Sequence, residues 1–156
     1  MTHSQDQSLP DNTRFNGVWR IENTRSSWSD GKFPDHMKLD LFLKFPENFI
    51  WYHSENSTLS TQPVMTLDFK TDLNGTPGLT SGNARFNKVR ARQLSATEFE
   101  ILEMLDEDVI VAAYWRFSED AQTLWRWGVG KSPAGLSRSY EELFIKESTA
   151  THIFDE

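Results

Sequence analysis

From Met37 to Phe45 the odd positions, Met37, Leu39, Leu41, Leu43 and Phe45, are apolar, while Lys38, Asp40 and Lys44 lie between them. Strand side chains alternate between faces, so this period of two predicts a half-buried strand, with Phe42 the exception on its polar face. Met65, Leu67 and Phe69 repeat the pattern against Thr66, Asp68 and Lys70 within 64–71. The second half reads as a meander. Segment 87–94 turns at Ser95-Ala96-Thr97 into 98–105, and Asp106-Glu107-Asp108 leads to 109–117. Residues 118–122 then connect to 123–131, and Ser132-Pro133-Ala134-Gly135 to 137–146. With 17–23 and 49–54, this spacing predicts an all-β chain folded as an antiparallel up-and-down barrel of about 8–10 strands.

Helical periodicity is nearly absent. Thr24–Phe33 is rich in Ser, Asp and Gly and reads as a loop or one short turn. Several late strands are apolar on both faces: Val109–Val111 runs on into Ala112, Ala113, Tyr114 and Trp115. Trp125 and Trp127 share a face of the next strand. A closed barrel accounts for this better than an open sheet does.

Composition narrows the function. The 156 residues fit one domain, 14–147, flanked by polar tails at 1–13 and 148–156 that are expected to be disordered, with Ile153 and Phe154 able to dock. Cysteine is absent, which excludes disulfides, thiolate zinc sites and cysteine nucleophiles. Sixteen basic against 23 acidic residues leave a net charge of −7, which argues against nucleic acid as a partner. No apolar run is long enough for a spanning helix, so no membrane role is expected. The first 14 residues are polar, carry Asp6 and Asp11 and lack an apolar core, so no secretory signal is expected and a cytoplasmic location follows. Six Trp, eleven Phe and three Tyr concentrate the apolar surface in flat rings that fill a core or line a cavity.

Phe15-Asn16-Gly17-Val18-Trp19-Arg20 opens the first strand. This F-x-G-x-W-[K/R] pattern resembles the first-strand signature of the calycins, the lipocalins and fatty-acid-binding proteins. Arg138-Ser139-Tyr140-Glu141 resembles the R-x-Y of the last strand in intracellular fatty-acid-binding proteins, and Arg116 matches the further inward arginine two strands earlier. The resemblance implies a barrel binding a hydrophobic ligand, with Trp19 plugging its closed end. It also implies a carboxylate held by Arg116, Arg138 and Tyr140. Segment 24–34 is too short for that family's helical lid.

The residues themselves add candidates. Arg138 and Tyr140, two apart, project from one strand face, where a guanidinium and a phenol can grip a carboxylate. Arg116, if inward, needs an anionic partner such as Glu103 or a ligand. Trp51 and His53 share a face, so His53 is a candidate for a ligand's polar end or for acid–base work. His3, His36, His53 and His152 have no ligand spacing, so no metal is expected, and nothing suggests a cofactor. Gly130-Lys131-Ser132 is not a phosphate loop: Trp125 stands where its first glycine belongs, and no helix follows.

Two functions fit. The first is binding of a hydrophobic, anionic small molecule inside the barrel, with Arg116, Arg138, Tyr140, Trp51, His53 and Tyr114 as ligand contacts. The alternative is a cofactor-independent isomerase, cyclase or lyase in the same cavity, with His53, Tyr114, Glu103 and Tyr140 as acid–base groups. An outward Trp125–Trp127 pair would make a surface for a homodimer or other partner.

Overall fold

The computed structural model describes residues 11–154, and the outermost parts of both expected tails, 1–10 and 155–156, lie outside these. Eleven strands follow in order: β1 (Gly17–Ile21), β2 (Ser27–Trp28), β3 (Leu39–Lys44), β4 (Phe49–Asn56), β5 (Met65–Asp72), β6 (Gly78–Ser81), β7 (Lys88–Gln93), β8 (Glu98–Leu105), β9 (Asp108–Phe117), β10 (Thr123–Lys131) and β11 (Ser137–Ser148). From β3 onward each strand pairs antiparallel with the next, β1 pairs with β3, and β1 returns to pair with β11. The result is a closed, up-and-down antiparallel barrel. Closure leaves the ring without the unpaired edges that an open sheet exposes.

The chain departs from the sheet after β1 for one 3₁₀ turn, Asn23–Arg25, then rejoins it as β2, which pairs with Tyr140 and Glu141 on β11. β1 and β2 thus form one interrupted strand along the long β11. The short β6 has no counterpart among the expected strands. It lies in a Gly- and Thr-rich stretch that is locally indistinguishable from a loop, and it is ordered by pairing with β5 and β7.

Alternation decides what fills the barrel. Leu39, Leu41 and Leu43 of β3 point inward and are buried. Phe42 stays outside, 5.4 Å from the His53 ring. One end of the interior is packed solid with aromatic rings. Phe15, in a 3₁₀ turn ahead of β1, stacks on Phe117 at 4.0 Å and meets Phe45 and Phe99 edge-on. Trp19 lies fully buried against Phe117 and donates its indole N–H to the Phe15 carbonyl at 3.1 Å. Gly17 starts β1 with φ +145°, and a methyl there would sit 2.2 Å from the Ser148 carbonyl oxygen. Only glycine allows the first and last strands to close at that point.

The described parts of both termini touch the barrel. Asn12 is buried and exchanges two hydrogen bonds with Gln93. Phe154 is buried against Trp51.

Candidate functional site

Away from the plug the barrel holds a cavity of about 770 Å³. Strand register explains the space. One inward row crosses the sheet as Ala91, Ile101, Ala113, Gly128 and Tyr140, and the next as Val89, Glu103, Val111, Gly130 and Arg138. Among these positions Ala113 and Gly130 line the cavity, so the β9–β10 wall leaves room that Tyr52, Phe69 and Trp115 border with rings. At Gly130 the nearest neighbour to an added methyl is Val111 at 3.5 Å, an ordinary contact. At Gly128 that methyl would meet the Ala112 carbonyl oxygen at 1.9 Å, so the backbone itself forbids a side chain.

Below these rows lies a charged pair that the sequence pattern does not mark. Arg126 of β10 faces inward, its Nε and Nη2 donating to Glu142 Oε1 at 3.0 and 2.9 Å. Its Nη1 donates to the Tyr52 hydroxyl at 3.2 Å. Burial opposes the charge on Arg126, but Glu142 together with the Tyr52 and Tyr140 oxygens outweighs it and holds the guanidinium firmly protonated. Arg126 is thus largely satisfied within the protein.

Glu103 and Tyr140, deeper on the cavity wall, lack such partners. Among the described residues, neither Glu103 nor the Tyr140 hydroxyl makes a side-chain hydrogen bond, and both line the cavity. Burial pushes the Glu103 carboxyl up to about 7, with Arg126 and Arg85 pulling it down and Glu142 adding to the rise. Burial also raises the Tyr140 phenol. A bulge helps aim Glu103: β9 carries an extra residue, Ile110, opposite the Glu103–Met104 step.

The mouth is built by Trp28, Asp30, Lys32, Arg85 and the β10–β11 turn. Arg138 lines it, but its guanidinium lies 3.5 Å over the Trp28 ring and bonds Asp30 at 3.3 Å. The segment after β2 is therefore fastened across the opening by Arg138, and no helical lid is present there.

The structure divides the sequence candidates by face. Tyr140, Glu103 and Arg138 line the cavity. Arg116, Tyr114, Trp51 and His53 point outward. Arg116 lies over Trp125 at 5.4 Å, opposite Glu98 rather than near Glu103. Tyr114 is exposed beside Trp127. Trp51 carries Lys70 on its face at 4.0 Å. His53 bonds Asp68 at 2.5 Å and Glu55 at 2.9 Å. Burial works against its protonation, but those two carboxylates raise its pKa. The expected pair of unneutralised inward arginines, on which an anionic ligand rested, is therefore absent: Arg116 is outside and Arg138 has Asp30. The outward Trp125 and Trp127 leave a half-exposed aromatic stripe on β10.

Arg126, Glu142 and Tyr52 are missing from the sequence expectations. An arginine between two tryptophans reads as the solvent side of a strand, yet here the tryptophans are outside. Glu142 had a usable signal, because it continues the Arg138, Tyr140 face by two residues.

Among the described residues no cluster of His and acidic side chains is arranged to hold a metal ion, and no helix is long and apolar enough to cross a membrane. No known family model matches the chain, and no curated protein matches it.

Proposed function

We propose that the barrel binds a hydrophobic small molecule in the cavity between the aromatic plug and the Trp28–Arg138 mouth. The single observation carrying this reading is the cavity of about 770 Å³, bordered by Leu39, Phe69, Ile101 and Trp115 on one side and by charged and polar side chains toward its mouth. That size is typical of small-molecule sites. Trp115, Tyr52 and Phe69 supply flat faces, which suit an aromatic or conjugated body as well as an acyl chain. Tyr140 and Glu103 are among the groups free to orient the ligand's polar end. The next-neighbour strand order and the Trp19 plug support placing the barrel with the calycins.

Native mass spectrometry of freshly purified protein, followed by calorimetric titration with apolar compounds of graded length, tests the reading. Saturable binding is expected, and Gly130→Leu, which puts a side chain into the cavity, should weaken it at least about tenfold with the fold intact. Wild-type protein that takes up no apolar compound, or a Gly130→Leu variant that binds equally well, would overturn it.

A further inference from the structure

Among the described residues, Glu103 and the Tyr140 hydroxyl are two ionisable groups of the cavity wall that no side-chain hydrogen bond engages. Every other charged group nearby is engaged or stands at the rim. Arg126 is held by Glu142 and Tyr52, Arg138 by Asp30, and Lys131 by Asp108. Arg85 stands at the mouth and donates to the Lys131 carbonyl. Glu103, on β8, faces Arg126 from β10, Glu142 and Tyr140 from β11, Tyr52 from β4 and Arg85 from the loop before β7. It is flanked in the ladder only by Val89 and Val111. A carboxylate among valines, with no hydrogen bond to quiet it, is a stronger base than one in water. A phenol with no acceptor of its own is a ready donor to a developing oxyanion.

We propose that this site catalyses proton transfer at carbon on hydrophobic carbonyl compounds, with Glu103 as the base and the Tyr140 hydroxyl as the oxyanion donor. The inference rests on the cavity being a small-molecule site. Glu103 removes a proton from the carbon next to the carbonyl. The C–H electron pair becomes the new C=C bond, and the carbonyl π pair moves onto oxygen, which accepts the Tyr140 hydrogen bond. Glu103 then returns to the same carbon a proton it has exchanged with water at the mouth, or returns the original proton to a conjugated carbon, which restores the carbonyl and the free carboxylate. The net change is an exchange or a double-bond shift, so no oxidant, metal or second substrate is consumed. The Arg126–Glu142 pair acts as a positioning group beneath the reacting pair. Glu103 is poised for this task, since its ionisation near neutrality gives a useful fraction of base without making the carboxylate weak.

The probe is 2-tetralone, a flat hydrophobic ketone with acidic hydrogens beside the carbonyl, followed by NMR as those hydrogens exchange in deuterated buffer. Wild-type protein should exchange them with saturation, and the rate should rise with pH through about 7 and then level off. At saturating 2-tetralone, Glu103→Gln should lose at least about 100-fold in exchange, the usual worth of a positioned base. Tyr140→Phe should lose roughly 100-fold as one oxyanion donor is removed. The wild-type pH profile needs no variant, so the inference stays testable if either substitution fails to fold. Binding of 2-tetralone with exchange no faster than buffer would overturn the catalytic inference and leave the binding reading standing. So would exchange that survives in Glu103→Gln. Failure of the wild type to bind 2-tetralone or any apolar compound would remove the binding reading first and this inference with it.

Discussion

At the scale of single residues, burial turns side chains of ordinary chemistry into sharply unequal ones. Trp19 is fully buried in the plug and its indole N–H is spent on the Phe15 carbonyl. Trp19→Ala removes both a large ring and that bond, and should cost about 3–5 kcal/mol in a reversible denaturant melt. Arg126 and Glu142 show the other side of burial. Their charges cost solvation that the pair only partly recovers, so each protects the other more than it stabilises the barrel. Arg126→Met alone should destabilise by about 3–5 kcal/mol, because it strands Glu142 inside. Arg126→Met with Glu142→Leu should recover most of that loss, and a double-mutant cycle of urea midpoints measures the difference. The R-x-Y pair was legible at this scale because spacing alone puts two side chains on one face. Their surroundings were not, since Asp30, which holds Arg138, lies 108 positions away in the chain.

Individual strands are decided by where small residues fall as much as by where large ones do. β10 carries Trp125 and Trp127 outside, and Leu124, Arg126, Gly128 and Gly130 inside. Read alone, the strand looks inverted. Its two inward glycines are not equivalent. Gly128→Ala drives a methyl onto the Ala112 carbonyl oxygen and should lower the melting temperature clearly, whereas Gly130→Ala meets only Val111 in ordinary contact and should leave it nearly unchanged. Thermal melts of the two variants side by side check this, and equal losses would mean that the β9–β10 spacing is not as described. β3 and β5 were readable from sequence because each has one apolar and one polar face. β4, β9 and β10 were not, because both faces carry rings or aliphatic groups, and a slip of one residue exchanges them. For this reason Tyr52 faces the cavity while Trp51 and His53, its immediate neighbours, face away.

For the whole molecule, an inward carboxyl without a hydrogen-bond partner ties stability to pH. Glu103 has its pKa raised from the ordinary 4.5 to about 7, so the folded protein holds a proton there that the unfolded chain has already released. The stabilising contribution is complete below the unfolded value and disappears as pH rises through about 7. Glu103→Gln should therefore match wild type near pH 4 and exceed it near pH 8, by on the order of 2 kcal/mol once cavity water is allowed for. Denaturant titrations at both pH values read this directly, and a variant less stable than wild type at the higher pH would mean that the carboxylate is well paired after all. The raised pKa of His53 runs on the same sign, since its protonated form is bonded to Asp68 and Glu55 and its contribution fades as pH rises.

The sequence by itself determined the strand rhythm, the antiparallel meander and the shared face of Arg138 and Tyr140. These follow from local rules: side-chain alternation and turn chemistry. Closure of β1 on β11, the choice of inward face on β4, β9 and β10, and the pairing of Arg126 with Glu142 were decided only in three dimensions. Each depends on register between strands, and where both faces of a strand are apolar no local signal favours one register over its neighbour. The cavity belongs to that second group, because it exists where Ala113 and Gly130, from different strands, come to stand in adjacent rows beside Tyr52, Phe69 and Trp115.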